Sequence, residues 1–284
     1  MTAIEAILLG VVQGLTEFLP VSSTAHLRIV PALVGWEDPG AAFSAVIQCG
    51  TLVAVCLALR RDIVELVTGG WTGLCTRRPF ATPTSRAAWL VVLGTIPIVA
   101  VGFAARHLIR GEARQLEVVT GALLAATLLM VCAELAAFRR SRRGGAARDG
   151  LAGVRVADGL TMGLFQVLAL VPGASRSGVT ISAGMLCGLD RVTAARFSFL
   201  LSLPAVAAAG LLEAWQQRQA IVGTSADATA TIVGVVTATL VGYASIRWLL
   251  RLLTSHTLWP FIVYRLALAA LLVAALERGW VAAT

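Results

Sequence analysis

An all-α polytopic membrane protein, with about six transmembrane helices and two re-entrant helix pairs arranged as an inverted repeat, is what this sequence predicts from three observations. First, 58% of the 284 residues are hydrophobic and only 13% are charged. The apolar residues form runs long enough to cross a bilayer, which excludes a soluble core. Second, the charge lies between those runs. All 23 basic residues are arginine, and the net charge of +8 gathers in loops, which fits positive-inside sorting rather than a nucleic-acid partner. Third, the order of elements in the first half recurs in the second. Cys49, Cys56, Cys75, Cys132 and Cys187 are scattered without metal spacing and read as apolar fillers.

Residues 3 to 19 form an apolar helix carrying Glu5, Gln13 and Glu17, and residues 23 to 35 a partner too short to span; together they make a re-entrant pair. Pro20 stops the first run, and Ser22, Ser23 and Thr24 are all N-cap residues for the helix that follows. Phe43 to Leu59 is the first clear span, ended by Arg60 and Arg61. The stretch to Arg86 reads as an irregular loop because it holds Arg77, Arg78, Pro79 and Pro83. Ala87 to Ala105 is a second span, broken near Pro97. After a polar turn with Arg106, Arg110 and Arg114, a third runs from Leu116 to Phe138. These elements form a first repeat, 1–138. A basic, glycine-rich linker, 139–156, separates it from a second repeat, 157–284. There residues 157 to 171 form a short helix stopped at Pro172 and residues 177 to 189 another. Phe197 to Ala214, Thr229 to Leu250 and Phe261 to Leu276 are the remaining spans.

Residues repeat as well as hydropathy. Gly10-x-x-Gln13-x-Leu15 leading to Pro20-x-x-Ser23 matches Gly163-x-x-Gln166-x-Leu168 leading to Pro172-x-x-Ser175 with one residue deleted, and Phe43-Ser44 matches Phe197-Ser198. An odd number of spans per half inverts the second half against the first, as in many transporter folds. Arginine placement agrees. Five lie in 60–86 and six in 139–155, two spans apart and therefore both cytoplasmic, against three in 106–114 and one in 214–228. The two broken tips then enter from opposite sides and meet near mid-bilayer.

The first tip sets a carboxylate, three hydroxyls and an imidazole in an apolar stretch. An ionisable group such as Glu17 inside a membrane segment is a functional candidate by default. A helix N-terminus there makes an anion site, most naturally for phosphate. Ser23 and His26, three apart on one helix face, are spaced for the imidazole to take the serine proton. At the second tip, Pro172-Gly-Ala-Ser-Arg-Ser-Gly178, the glycines let backbone N–H groups approach a ligand, and Arg176, between Ser175 and Ser177, offers a planar fork for phosphate. Arg191 and Arg196 read as interfacial anchors. One tip thus brings a nucleophile with an acid and a base, the other cationic and backbone donors. Hydrolysis of a phosphoanhydride or phosphoester needs that combination.

The stretches Gln13-Gly-Leu-Thr-Glu-Phe-Leu-Pro-Val-Ser-Ser-Thr-Ala-His26 and Pro172-Gly-Ala-Ser-Arg-Ser-Gly178 closely resemble the two motifs of the undecaprenyl pyrophosphate phosphatases, the bacterial bacitracin-resistance family of integral membrane phosphatases. The resemblance runs the whole length. It implies removal of the terminal phosphate from undecaprenyl diphosphate to give the monophosphate that carries cell-wall precursors, in the bacterial inner membrane. It further implies a divalent cation (Mg or Ca) and roles for Glu17, Ser23, His26 and Arg176. Gln13 stands where many members have glutamate, which puts a two-carboxylate metal site in doubt. Ala25 replaces a usual glycine, a change that a helix tolerates.

The expectation is therefore a membrane phosphatase in which Ser23 attacks the terminal phosphorus with His26 as base and then acid. Arg176 holds the phosphate, with Gln13, Ser22, Thr24, Gly173, Ser175, Ser177 and Gly178 around it. Glu17, with Gln13, orients His26 or ligates the cation. His26 stays open as an alternative nucleophile. The site faces the periplasmic or extracellular side, the polyprenyl tail of the diphosphate lipid lies between helices against membrane lipid, and a homodimer is left open. The rival is a transporter or flippase for an anionic lipid or small anion. A pure transporter has no need for Ser23 beside His26.

Overall fold

The computed structural model describes residues 1–36, 40–106, 115–216 and 225–278. The described chain is helical: α1 (Ala3–Thr16), α2 (Ser23–Val34), α3 (Gly40–Ala58), α4 (Arg60–Cys75), α5 (Pro83–Ala104), α6 (Leu116–Arg142), α7 (Val156–Gln166), α8 (Arg176–Leu186), α9 (Arg191–Gln216), α10 (Ser225–Leu252) and α11 (Trp259–Glu277). Among the described residues five stretches are long and apolar enough to cross a membrane: Pro83–Ala104, Leu116–Arg142, Arg191–Gly210, Ala228–Leu252 and Trp259–Glu277. The first span expected from sequence is α3, 19 residues long, whose fully described apolar stretch is Val46–Ala58. At 14, 12, 11 and 11 residues, α1, α2, α7 and α8 are too short to cross alone, as re-entrant pairs must be.

Packing between the halves is reciprocal. Helix α1 lies on α10 while α7 lies on α5, and α3 packs on α10 as α9 packs on α5. Lipid tails are as apolar as leucine, so helices in a bilayer associate through close contact of small residues rather than through exclusion of water. The matched glycines make that contact. A Cβ on Gly10 would come 2.7 Å from the Gly234 carbonyl oxygen, and one on Gly163 would come 2.4 Å from the Gly94 Cα. Each half's leading helix is thereby clamped to the other half, which fixes where the two tips meet.

Several stretches depart from expectation. The irregular loop after Arg61 is instead α4, an amphipathic helix that buries Asp62, Leu66 and Gly73 while exposing Val64, Val67 and Trp71. Pro83 does not disorder the chain; it lies in the first turn of α5, where its missing N–H costs nothing, and Thr82 Oγ1 accepts from Ser85 N at 3.2 Å. Helix α5 also runs unbroken through Pro97, since packed neighbours in a membrane bundle can re-satisfy the freed carbonyl. The linker's first basic residues extend α6, and the rest is folded. Arg148 pairs with Asp158 and donates to the carbonyls of Gly153 at 2.8 Å and Cys187 at 2.6 Å.

Arg191 and Arg196 each pair with a carboxylate on another helix. Arg191 Nε donates to Glu134 Oε1 at 2.9 Å, and the same oxygen accepts from Leu258 N at 2.6 Å, so one carboxylate ties α6, α9 and the start of α11. Arg196 pairs with Asp62 across α9 and α4. Arg110, Arg114 and Arg218, used above in reading the topology, lie outside the described residues.

Candidate active site

The two tips are built alike. Ser22 (φ 77°) and Ser175 (φ 68°) occupy the left-handed region, which side chains avoid, and sit at the N-caps of α2 and α8. Such strain, roughly 1–3 kcal/mol per residue, persists only where the surroundings enforce it. The interval from Gln13 to Ser22 equals that from Gln166 to Ser175, so the structural register needs no deletion before the tip. It sets Ser22 against Ser175 and Ser23 against Arg176, correcting the match of Ser23 with Ser175.

The tips meet directly. Gly173 N donates to Thr24 Oγ1 at 3.2 Å, and Ser177 Oγ donates to the Leu19 carbonyl at 3.1 Å. Gly173 has φ 96°, and a Cβ there would lie 2.2 Å from the Val119 carbonyl oxygen, so no other residue fits this approach of tip to α6. Behind both tips lies Arg265 of α11, fully buried. Its guanidinium donates to the Pro20 carbonyl at 3.3 Å on one side and to the Gly173 and Ala174 carbonyls, each at 3.3 Å, on the other. Leu123 O at 2.9 Å and Thr127 Oγ1 at 2.8 Å hold it to α6. One cation therefore fixes the separation of the tips.

Glu17 is the hub of the reactive groups. Its Oε2 accepts from Ser23 Oγ at 2.7 Å and from Gln13 Nε2 at 3.1 Å, while its Oε1 accepts from Arg176 Nη2 at 2.8 Å. The second arginine nitrogen, Nη1, is buried and has no partner among the described residues. Glu17, Ser23 and Arg176 line a cavity of about 430 Å³ together with Ser22, Thr24, Ser175, Arg28 and the apolar Leu27, Ile98, Leu170 and Val206. The Arg176 side chain and a hydroxyl already bonded to a carboxylate thus line one space. Ser175 does not reach for a ligand: its Oγ accepts from Gly178 N at 3.2 Å and lies 3.3 Å from Ser177 Oγ, which caps α8.

His26 is placed differently from the sequence expectation. Its Nδ1 donates to the Ser22 carbonyl at 2.7 Å, which leaves Nε2 to accept from Tyr264 Oη at 2.5 Å. The two rings stack with centroids 5.6 Å apart. Both imidazole nitrogens are engaged away from Ser23, whose hydroxyl goes to Glu17. Three-residue spacing puts two Cβ atoms on one face, but the strained Ser22 peptide turns the ring toward α11.

A resident divalent cation needs several hard oxygen donors. Among the described residues no three His, Cys, Asp or Glu side chains come together. Glu17 is the one carboxylate among those lining the cavity, and Gln13, whose Oε1 has no partner, sits behind it rather than on the wall. The metal ligands expected from sequence, Glu17 and Gln13, do not make a cation site from protein groups alone.

Sequence reasoning missed Arg265, Tyr264 and Arg28. An arginine inside the last apolar span is itself a signal, since intramembrane charge is rare and marks a structural or functional partner. Tyr264 carried no such mark.

Fold and site together define a polytopic membrane protein with a half-enclosed hydroxyl, carboxylate and guanidinium centre, the equipment of phosphoryl chemistry. A family model described as bacitracin resistance protein BacA matches residues 6–271. The undecaprenyl-diphosphatase of Myxococcus xanthus (strain DK1622) is 47% identical over 279 residues, covering 98% of this chain and 91% of its own. That of Chlorobium phaeobacteroides (strain BS1) is 46% identical over 283 residues with both chains fully covered, and that of Chlorobium luteolum (strain DSM 273 / BCRC 81028 / 2530) is 48% identical over 279 residues. The chain belongs to the bacitracin resistance protein BacA family.

Proposed function

We propose that this chain hydrolyses undecaprenyl diphosphate to undecaprenyl phosphate and inorganic phosphate, returning the lipid carrier to cell-wall synthesis. The observation that carries the reading is Arg176, paired with Glu17, lining the same cavity as a Ser23 hydroxyl bonded to that carboxylate. In the first step Glu17 Oε2 takes the Ser23 proton as Oγ attacks the terminal phosphorus. The bond to the bridging oxygen breaks, and Glu17 passes its proton to that oxygen as undecaprenyl phosphate leaves. Water then attacks the phosphoserine, Glu17 takes the water proton and returns it to Ser23 Oγ as the P–O bond breaks, and phosphate is released. Arg176 stabilises the charge that builds on the equatorial oxygens. His26 acts through Ser22: by gripping that carbonyl it fixes the strained turn that presents Ser23.

The prenyl tail leaves along Leu27, Ile98, Leu170 and Val206 toward lipid. Glu17, the one carboxylate lining the cavity, would hold a divalent cation, Mg or Ca, together with the oxygens of the diphosphate, and the cation would neutralise charge on the phosphates. The repeats 1–138 and 157–284, joined by 139–156, are inverted in a bacterial inner membrane. The arginine distribution supports a catalytic cavity that faces outward.

Phosphate release from a prenyl diphosphate by purified protein in detergent tests the activity, because a transporter has no compartments to work between. Denaturing acid during turnover tests the nucleophile. A phosphoserine survives it, whereas a phosphohistidine is lost and would shift the attack to His26.

A further inference from the structure

A second cavity, about 880 Å³, shares no lining residue with the active site and lies between the α3–α4 junction, the start of α9 and the end of α10. Arg60, Arg61, Arg196, Arg247 and Arg251 line it, against one carboxylate, Asp62. Asp62 is already paired with Arg196. The other four arginines have no ion-pair or side-chain hydrogen-bond partner among the described residues, which leaves a concave surface carrying four uncompensated positive charges. Tyr243, Arg247 and Arg251 recur every four residues on one face of α10. Leu57 and Leu240, 52% and 67% exposed, line the same cavity and continue it onto the apolar outer surface of α3 and α10. General positive-inside sorting asks only that arginines lie on one side of the membrane; it does not ask that two pairs, from elements far apart in sequence, converge on one hollow.

We propose that this cavity binds the phosphate headgroup of an anionic phospholipid, with its acyl chains along Leu57 and Leu240. The guanidinium fork suits phosphate oxygens better than any other headgroup atom, and anionic lipid attracts basic residues at this depth. Two arginine pairs suit a headgroup with two phosphates. The inference is independent of the catalytic reading.

Thermal unfolding of the purified full chain in a neutral detergent, titrated with diphosphatidylglycerol, phosphatidylglycerol, phosphatidylcholine or inorganic pyrophosphate, provides the test. The wild type should be stabilised in the order of two lipid phosphates, then one, with no shift from the zwitterion. The variant Arg60→Gln/Arg61→Gln/Arg247→Gln/Arg251→Gln should need at least roughly tenfold more diphosphatidylglycerol for the same shift. A control that removes four exposed arginines off the cavity, Arg77→Gln/Arg78→Gln/Arg139→Gln/Arg143→Gln, should behave as wild type. An equal loss in the control, or none in the cavity variant, overturns the site. A full shift from pyrophosphate alone that the cavity variant loses overturns the lipid and makes a soluble anion the occupant. Should the fourfold variant fail to elute as a folded species, Arg247→Gln/Arg251→Gln on the exposed face of α10 takes its place, with a smaller loss expected and an unchanged lipid response overturning the proposal.

Discussion

At the first tip Ser22 holds φ 77° at the start of α2, and at the second Ser175 holds φ 68° at the start of α8, yet the two helices that follow are used in opposite ways. Ser175 caps its helix, and α8 is buried from Ser177 to Met185. Ser22 makes no cap bond and lies 3.2 Å from Thr24 Oγ1 instead, while Ser23 is half-buried and Thr24 exposed at the cavity. Upstream, Gln13 and Gln166 are both fully buried. Gln13 bonds Glu17, but the residue in Glu17's place is Leu170, and Gln166 has no partner for either amide atom among the described residues. One backbone device thus serves two ends: the first tip keeps a reactive face open to the cavity, and the second is a packed scaffold that aims a single guanidinium at it. Strain alone does not mark a catalytic residue; the groups following the strained serine decide.

The largest effects should fall on the first tip. Ser23→Ala and Glu17→Gln should each lower phosphate release by at least roughly a thousandfold, and the double variant should be scarcely worse than either, because nucleophile and base act as one unit. Ser22→Ala should lose far less. Additive losses in the double variant would separate Glu17 from the serine and return the base to His26.

Next comes the residue that joins the tips. Arg265→Met removes a buried cation from the Pro20, Leu123, Gly173 and Ala174 carbonyls. Each carbonyl left unpaired should cost roughly 1–3 kcal/mol of stability, read as a large fall in the thermal midpoint in detergent. Activity lost with no change in that midpoint would place Arg265 in the chemistry rather than in the frame. Arg176→Lys at the second tip should cost less, roughly 2–4 kcal/mol in kcat/KM with the fold intact, since lysine keeps the charge and loses the fork. Near-normal turnover would mean that Arg176 only pairs with Glu17.

Most of this architecture was legible in the sequence because membrane insertion writes itself into composition. Breaks at Pro20 and Pro172, the meeting of the tips, and the gathering of Glu17, Ser23 and Arg176 on one cavity all follow from hydropathy, proline and intramembrane charge. Other features were hidden for physical reasons. A helix heptad sees Ser23 and His26 on one face, but it carries no information about the φ of Ser22, so the partner of each side chain could not be read. The role of α4 was masked by arginines and prolines that resemble loop punctuation, although Asp62 and Leu66 recur at helical spacing. The pairs that Arg191 and Arg196 make were hidden because Glu134 and Asp62, which the fold brings opposite them, are distant in sequence.

The smallest expected effect discriminates best between the tips. Gln166 is buried with neither amide atom bonded, and an unsatisfied buried polar group costs roughly 1–3 kcal/mol. Gln166→Leu should therefore leave turnover unchanged and raise the thermal midpoint slightly, since leucine carries no buried amide to leave unpaired. Gln13→Leu is the same substitution at the matching position, but there the amide holds Glu17 Oε2 beside the Ser23 hydroxyl. Its loss should lower kcat by roughly tenfold, about the worth of one hydrogen bond to a charged group, while KM for the prenyl diphosphate stays near its wild-type value. Kinetics and melting of the two variants side by side decide the point. Equal losses of kcat at both positions would show that the second tip still shares in the proton transfer, and the division of labour between the two tips would have to be given up.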